Sequence, residues 1–436
     1  MSSQQKPLHR IVVVGGGAGG LELASSLGKK LGKKGEAEIT LIDAAQTHVW
    51  KPLLHEIAAG TLDSVEEVGY LSQAYHCHFR FRLGKMEGLD RASKTIFVSP
   101  TYSKSGEQII PQRTFSYDTL VIAVGSVSNS FGIPGVDQHC MFLDSTKEAF
   151  KFQRQLVDVT IKTLTNNPGK PLSVAIVGAG ATGVELSAEI HEVAKHFAIY
   201  GLQDQKAKNP LKITIIEGAD RLLPALPEKL AAATQQQLTQ LGIELKLGHR
   251  VVEVTENAIK THDGETIPAD IKVWAAGIKG GDWLNSLDGL ESNKINQLVV
   301  DQCLKTTIDD DIFAIGDCTA CPWPDHPQNV PPRAQAAHQQ ASTLHKSLVN
   351  RIQGKALIPY TYRDYGSLVS LGKYSTVGNL MGNLMGSVSI GGLIARVVYL
   401  TLYKMHQVAI HGIYRTVLLT LSNLFRRTAQ PRIKLH

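Results

Sequence analysis

Ile11-Val-Val-Val-Gly15-Gly16-Gly17-Ala18-Gly19-Gly20, running on into Leu21-Glu-Leu-Ala-Ser-Ser-Leu27, decides the fold. The apolar run reads as a buried strand, the glycines as a tight turn, and the following stretch as a helix. Gly15 permits the turn, Gly17 lets the backbone approach a pyrophosphate, and Gly20 lets the helix pack close to the strand. The free N–H groups at the helix start, beside Ala18, then face phosphates. Asp43 closes the next apolar run, 39–42, and lies 23 residues past Gly20. A carboxylate gripping a ribose hydroxyl belongs at that place.

The same grammar returns at Val174-Ala-Ile-Val-Gly178-Ala-Gly180-Ala-Thr182-Gly183-Val-Glu185. Its acid is Glu217, closing the run 213–216, at 34 residues past Gly183. The polar stretch from Tyr200 to Pro210 reads as an insertion that lengthens the gap. An acid at this place favours NADH, because the 2′-phosphate of NADPH would meet a negative charge. Three more strands end in small residues: Tyr117 to Ala123-Val-Gly125, Ile271 to Ala276-Gly277, and Asp311 to Gly316-Asp317.

The 436 residues leave room for two or three domains, and 43% apolar with 19% charged residues suits a folded chain. Arg10 leads straight into the apolar run, so a secretory signal is not expected. Five scattered cysteines, at 77, 140, 303, 318 and 321, fit a reducing cytosol rather than a disulfide framework. The formal charge of +6 is uneven: the tail after Asp364 holds eight basic and no acidic residues, which leaves the preceding 364 residues at −2. A uniformly basic nucleic-acid binder would not look like this, and no nucleic-acid partner is expected.

This ordered set resembles the two-dinucleotide-binding-domain flavoproteins over residues 10–345. The resemblance implies that the first loop holds FAD, with Gly15, Gly17, Ala18, Gly20, Asp43, Ala123 and Gly125 as its contacts. It assigns Asp317 to the ribityl and phosphate part of FAD. The second loop would hold NADH as substrate, through Gly178, Gly180, Thr182, Gly183, Glu217, Ala276 and Gly277. The expected fold is α/β, with two Rossmann-like domains, the second inserted in the first, and a C-terminal amphipathic helical membrane-anchoring region. The expected boundaries are 1–145 and 286–365 for the FAD domain, 146–285 for the NADH domain, and 366–436 for the membrane-associating region.

The acceptor needs further signals. Disulfide reductases of this kind carry two cysteines on the helix after the first loop, and this helix has none. Cys318 and Cys321 form a CxxC past Asp317, but no second CxxC or HxxxH completes a metal site. They read as small packing residues. His76-Cys77-His78 lies in a strand-like run whose neighbours would point to opposite faces, so no metal is expected there.

Gln335 and Gln339 stand four apart in Ala334-Gln335-Ala-Ala-His338-Gln339-Gln340, on one face of a helix. An amide can donate to a quinone carbonyl, although a solvated polar face has the same composition. The pattern resembles the type II NADH dehydrogenases, the single-chain, non-pumping NADH:quinone oxidoreductases of bacterial respiration. Val49-Trp-Lys51-Pro-Leu-Leu-His55-Glu56, Leu368-Val-Ser-Leu-Gly and Arg432-Ile-Lys-Leu-His436 extend the likeness nearly end to end. It implies that Gln335 and Gln339 line the quinone pocket, that Lys51 is a cofactor contact, and that Glu185 sits beside the flavin and helps protonate the reduced quinone. Hydride would pass from NADH to FAD, and two electrons to ubiquinone or menaquinone. The alternatives are a sulfide:quinone oxidoreductase using Cys318 and Cys321, and an NADH-binding sensor flavoprotein.

The tail fits a membrane acceptor. The uncharged stretch 374–395 is too polar and glycine-rich to span a bilayer, with its repeat Gly378-Asn-Leu-Met-Gly-Asn-Leu-Met-Gly386. Beyond it, Arg396, Lys404, Arg415 and Arg426 fall within roughly a 120° arc at ~100° per residue, with apolar and aromatic residues between them. This reads as a helix lying on anionic lipid, broken in two at Gly412. The implied location is peripheral, on the cytoplasmic face of the bacterial inner membrane, and a homodimer is compatible with it.

Overall fold

A run of apolar residues without alternation suits a strand covered on both faces, and this is how residues 11–14 are used. The computed structural model describes residues 7–61, 67–103, 105–166, 170–199, 211–371, 376–380 and 388–429. Two units emerge. The first gathers the chain up to Trp50, Glu67–Val127 and Ile278–Arg363; the second gathers the stretch from Lys51, Ser128–Gly277 and the chain from Asp364 onward.

The first unit is built on a parallel sheet in the order Ile312–Ala314, Thr119–Ile122, His9–Val14, Ala37–Asp43, Arg80–Leu83. Because all five strands run the same way, the glycine loop, Asp43, Ala123 and Gly316-Asp317 leave the sheet at one edge, its carboxyl ends. Ligands of open α/β sheets bind there. An antiparallel sheet, Met86–Asp90, Thr95–Val98 and Arg113–Ser116, is inserted before the Thr119 strand. Helix Ala18–Lys30 packs on helix Ala334–Ile352.

The second unit repeats the plan. Its parallel sheet runs Glu244–Leu247, Leu211–Glu217, Leu172–Val177, Ile271–Trp274, and an antiparallel sheet, Val251–Val254, Ala258–Thr261 and Thr266–Pro268, is inserted before the last strand. Trp274 fills the core between the two sheets, with Val177, Ile216, Val254 and Ile259 in the same cluster. Its indole N–H is satisfied by the Asn129 carbonyl at 2.8 Å. Helix Ala181–Ile199 follows the second glycine loop and packs on the short helix Leu54–Ala59. The C-terminal part is a three-stranded antiparallel sheet, Gly366–Ser370, Thr376–Leu380 and Val388–Gly391, followed by helices Gly392–His411 and Ile413–Ala429. Gly412, at φ +80°, divides the two helices, as its place in the sequence implied.

One expectation is corrected. His76-Cys77-His78 is not strand-like: helix Tyr70–Cys77 ends there, capped by His78 at φ +59°. Tyr70, Ala74 and Cys77 bury one face at helical spacing, which outweighs the local alternation, and both histidines stay exposed. Among the described residues the one grouping of potential metal-ligating side chains is His249, Asp263 and Glu265, where Lys246 already pairs with Glu265 at 2.7 Å. The insertion at Tyr200–Pro210, most of the Gly378–Gly386 repeat and the closing Arg432–His436 lie outside the described residues.

Candidate functional site

Each glycine loop is closed by its own main chain. Gly15 has φ +99°, and a Cβ there would stand 2.4 Å from the Ala123 carbonyl oxygen; a Cβ on Gly20 would stand 1.9 Å from the Gly15 oxygen. Gly178 has φ +106°, with the Ala275 carbonyl 2.7 Å from its Cβ position, and a Cβ on Gly183 would meet the Gly178 oxygen at 2.0 Å. Gly17 and Gly180 differ from these: nothing lies within 4 Å of their Cβ positions. The backbone requires glycine at the ends of each loop, while the middle glycine faces open space where a pyrophosphate can approach.

The two predicted ribose acids have a structural task in common. Asp43 accepts the Gly16 and Ala45 amides, at 2.6 and 2.7 Å. Glu217 accepts the Ala179 and Ala219 amides, at 2.7 and 3.0 Å. Each acid therefore pins the glycine loop of its own unit, and each carboxylate keeps lone pairs for a hydroxyl. Burial pushes the Asp43 carboxyl above its usual range, against the pull of the Gly16 and Ala45 amides.

Several residues that support the first loop were not singled out from sequence. Buried Tyr70 donates its hydroxyl to the Gly16 carbonyl at 2.9 Å. At the Gly316-Asp317 turn, Ser126 donates to the Asp317 carboxylate at 2.9 Å and Gln297 donates to the Asp317 carbonyl at 2.9 Å. The Gly316 amide donates to Gln340 at 2.7 Å. Gly125, at φ +73°, also faces open space. No periodicity marks these partners, because they meet the loop from elements far along the chain.

In the second unit Glu185 is buried, at 6% exposed. The Ser370 amide donates to its Oε1 at 2.9 Å, and its Oε2 lies 3.4 Å from Nδ1 of buried His55. Burial pushes Glu185 up to about 8, with Glu56 and Glu189 adding to the rise and the Ser370 amide opposing it. Burial pushes His55 down to about 4. Both shifts favour a protonated acid beside a neutral imidazole over an ion pair. Lys51 lies in this unit, 3.9 Å from Asp144, whose carboxylate also accepts from Ser128. Gly277 has φ +66°, and a Cβ there would meet the Phe131 ring at 2.5 Å.

Gln335 and Gln339 share a half-buried face of helix Ala334–Ile352, and Ala336 and Ala337 are buried behind them. The Gln339 amide bonds the Arg363 backbone in both directions, donating at 2.8 Å and accepting at 3.0 Å. Cys318 and Cys321 are buried, and burial pushes both thiols up to about 12. Redox-active cysteines need accessible, low-pKa thiolates, and these have neither property.

Comparison with known proteins agrees with this geometry. The pyridine nucleotide-disulphide oxidoreductase family matches residues 9–341. A type II NADH:quinone oxidoreductase of Haemophilus influenzae is 41% identical over 446 aligned residues, which cover 98% of this chain and 100% of that protein. Its counterpart in Staphylococcus aureus is 30% identical, covering 86% of this chain and 90% of that one. The structure of NDH2 from Plasmodium falciparum in complex with NADH has the same fold, with a TM-score of 0.80 at 20% identity, covering 98% of this chain and 100% of that chain. The sulfide:quinone oxidoreductase of Aquifex aeolicus shares the fold at a TM-score of 0.71 and 18% identity, covering 93% of this chain and 92% of that one. By the family match and the near-complete alignment to a 41% identical relative, the chain belongs to the pyridine nucleotide-disulphide oxidoreductases and, within them, to the type II NADH:quinone oxidoreductases.

Proposed function

We infer that this chain is an FAD-dependent NADH:quinone oxidoreductase. The observation that carries the reading is the doubled glycine loop, closed in the same way twice and open in the middle twice, in a chain 41% identical to a type II NADH:quinone oxidoreductase. The first unit fits FAD, because a Cβ at Gly17 or Gly125 would enter space that the protein leaves empty. When bound, FAD supplies the hydride-accepting and two-electron chemistry.

The remaining work belongs to the main chain and side chains of the protein. The amides at the start of helix Ala18–Lys30 bind the FAD pyrophosphate, Asp43 the adenosine ribose, and Asp317 the ribityl-phosphate part. The second loop binds NADH, and Glu217 disfavours a 2′-phosphate. Burial favours the protonated form of Glu185, the group we assign to protonating the reduced quinone. Gln335 contacts the quinone. Gln339 joins it with the amide hydrogen that its bond to Arg363 leaves over. Ubiquinone and menaquinone both present the carbonyls this requires.

The quinone is reached from a membrane surface. On helix Ile413–Ala429, Ile413, Tyr414, Val417, Leu418, Leu421 and Phe425 are exposed within about 140° of arc, and Leu419 is exposed outside it. Tyr414 is 77% and Phe425 72% exposed, while Thr416 on the other side is buried. A helix that turns its apolar face outward and a threonine inward suits a lipid surface. Among the described residues no helix is long and apolar enough to cross a membrane. From the outward apolar residues of this helix we place the protein peripherally on anionic lipid, and from the resemblance to the bacterial respiratory enzymes at the cytoplasmic face of the inner membrane. The sulfide:quinone alternative is disfavoured by the buried, high-pKa state of Cys318 and Cys321.

The test is NADH oxidation by the purified holoprotein on anionic vesicles, with and without a quinone, with NADPH as rival donor and Gln335→Ala alongside. Fast, quinone-dependent oxidation that prefers NADH and falls in the variant is expected. Flavin that NADH reduces but quinone cannot reoxidise would overturn the acceptor assignment.

A further inference from the structure

Helix Ala334–Ile352 was read as the acceptor helix, yet its other faces are committed to the first nucleotide loop and to the Gly316-Asp317 turn. A Cβ on Gly19 would stand 3.1 Å from the Ala337 carbonyl oxygen, and one on Gly316 would stand 3.7 Å from the Ala337 Cβ. His338 Nδ1 lies 2.6 Å from the carboxylate of buried Glu22, in the helix after the loop, and Ser342 donates to that carboxylate at 3.3 Å. Between these contacts stands Gln340, 1% exposed, with its Oε1 accepting the Gly316 amide at 2.7 Å.

Chemistry fixes the orientation of this amide. A backbone N–H can only donate, so the carbonyl of Gln340 faces Gly316. Gly316 itself sits at φ +80°. The turn is thus gripped at three points: Gln340 on the Gly316 amide, Gln297 on the Asp317 carbonyl, and Ser126 on the Asp317 carboxylate. Without Gln340, a partly buried N–H loses its acceptor and the turn loses its link to the helix.

We propose that Gln340 is a positioning residue for FAD: it holds the Gly316-Asp317 turn in its binding shape before the nucleotide arrives. The proposal rests on the reading of the first loop and Asp317 as the FAD site.

The experiment measures the FAD dissociation constant of the full-length apoprotein by flavin fluorescence, and the melting temperatures of the apo and holo forms. Gln340→Met keeps length and removes both hydrogen-bonding atoms; Gln340→Glu keeps the acceptor. Gln340→Met is expected to weaken FAD binding by about 10- to 100-fold, the scale of an unsatisfied buried donor. The gap between holo and apo melting should narrow, and Gln340→Glu should recover part of the affinity. Equal falls in both melting temperatures with an unchanged dissociation constant would make Gln340 a packing residue and overturn the proposal. If the methionine variant does not fold, the glutamate variant decides: full loss of affinity despite the retained acceptor also overturns it. Gly17→Val separates the two levels. If it binds FAD normally, the assignment of the first loop fails; if it loses FAD while Gln340→Met stays within twofold of the parent, only the positioning role fails.

Discussion

Replacing Glu185 by glutamine should make the protein more stable and less active at once. The carboxyl is buried and pushed up to about 8 from an ordinary 4.5. Its folded pKa lies above its unfolded one, so the sign is unfavourable at neutral pH. The unfolded chain releases this proton near pH 4.5 while the folded chain keeps it to about 8, and folding becomes progressively harder across that window. At pH 7 the penalty is ~3 kcal/mol, from a gap of ~2.5 pH units at 1.36 kcal/mol each. Glutamine carries no such penalty, and its Oε1 can still accept the Ser370 amide. Denaturation of Glu185→Gln should therefore show added stability at pH 8 and almost none at pH 4.5. Activity should move the other way. The parent's quinone-reduction rate should decline above pH 8 as Glu185 loses its proton, whereas the variant should be flat there and slower at pH 7 by ~10²-fold, the lower end of general-acid contributions. His55, Glu56 and Glu189 around it remain in both proteins, so the comparison isolates one carboxyl. A variant with unchanged stability at pH 8 and the parent's pH profile would refute the argument.

Three further outcomes follow from other parts of the molecule. Gly180→Val should leave FAD bound but raise the KM for NADH by more than about tenfold, because it fills the open middle of the second loop only; steady-state kinetics with an absorbance check of flavin content would show it. Cys318→Ala with Cys321→Ala should keep NADH:quinone turnover within about twofold, since neither thiol is a thiolate at working pH; loss of turnover with FAD retained would reopen a redox role. Leu418→Asp with Phe425→Asp should abolish sedimentation with anionic vesicles while sparing oxidation by a water-soluble quinone, and unchanged vesicle binding would remove that helix from the membrane contact.

The glycine loops were legible in the sequence because their glycines answer to local geometry. A positive φ at Gly15 or Gly178, and a helix that almost touches Gly15 at Gly20, are demands of the chain on itself. Asp43 and Glu217 were legible for the same reason, as each ends a strand beside its loop. Gly412 was legible as a helix breaker. What escaped was support from a distance. Tyr70 reaches Gly16 across 54 positions and Ser126 reaches Asp317 across 191, and nothing in their own neighbourhoods marks them. The triplet His76-Cys77-His78 does not show its helix, because three residues cannot reveal a period that the eight of Tyr70–Cys77 can. Gln339 shows a further limit: a residue type suited to a ligand is equally suited to the backbone of Arg363.

The two loops match closely: φ is +99° and +106° at their first glycines, and at both Gly20 and Gly183 a Cβ would collide with the first glycine's carbonyl oxygen. A grip made of main chain and emptiness reads any dinucleotide alike, so each ligand's identity must be written outside the loop, in groups such as Glu217 and Asp317. For an engineer this divides the molecule into a fixed socket and a short, editable address. Donor preference could be rewritten around residue 217, provided the replacement still accepts the Ala179 and Ala219 amides that hold the loop.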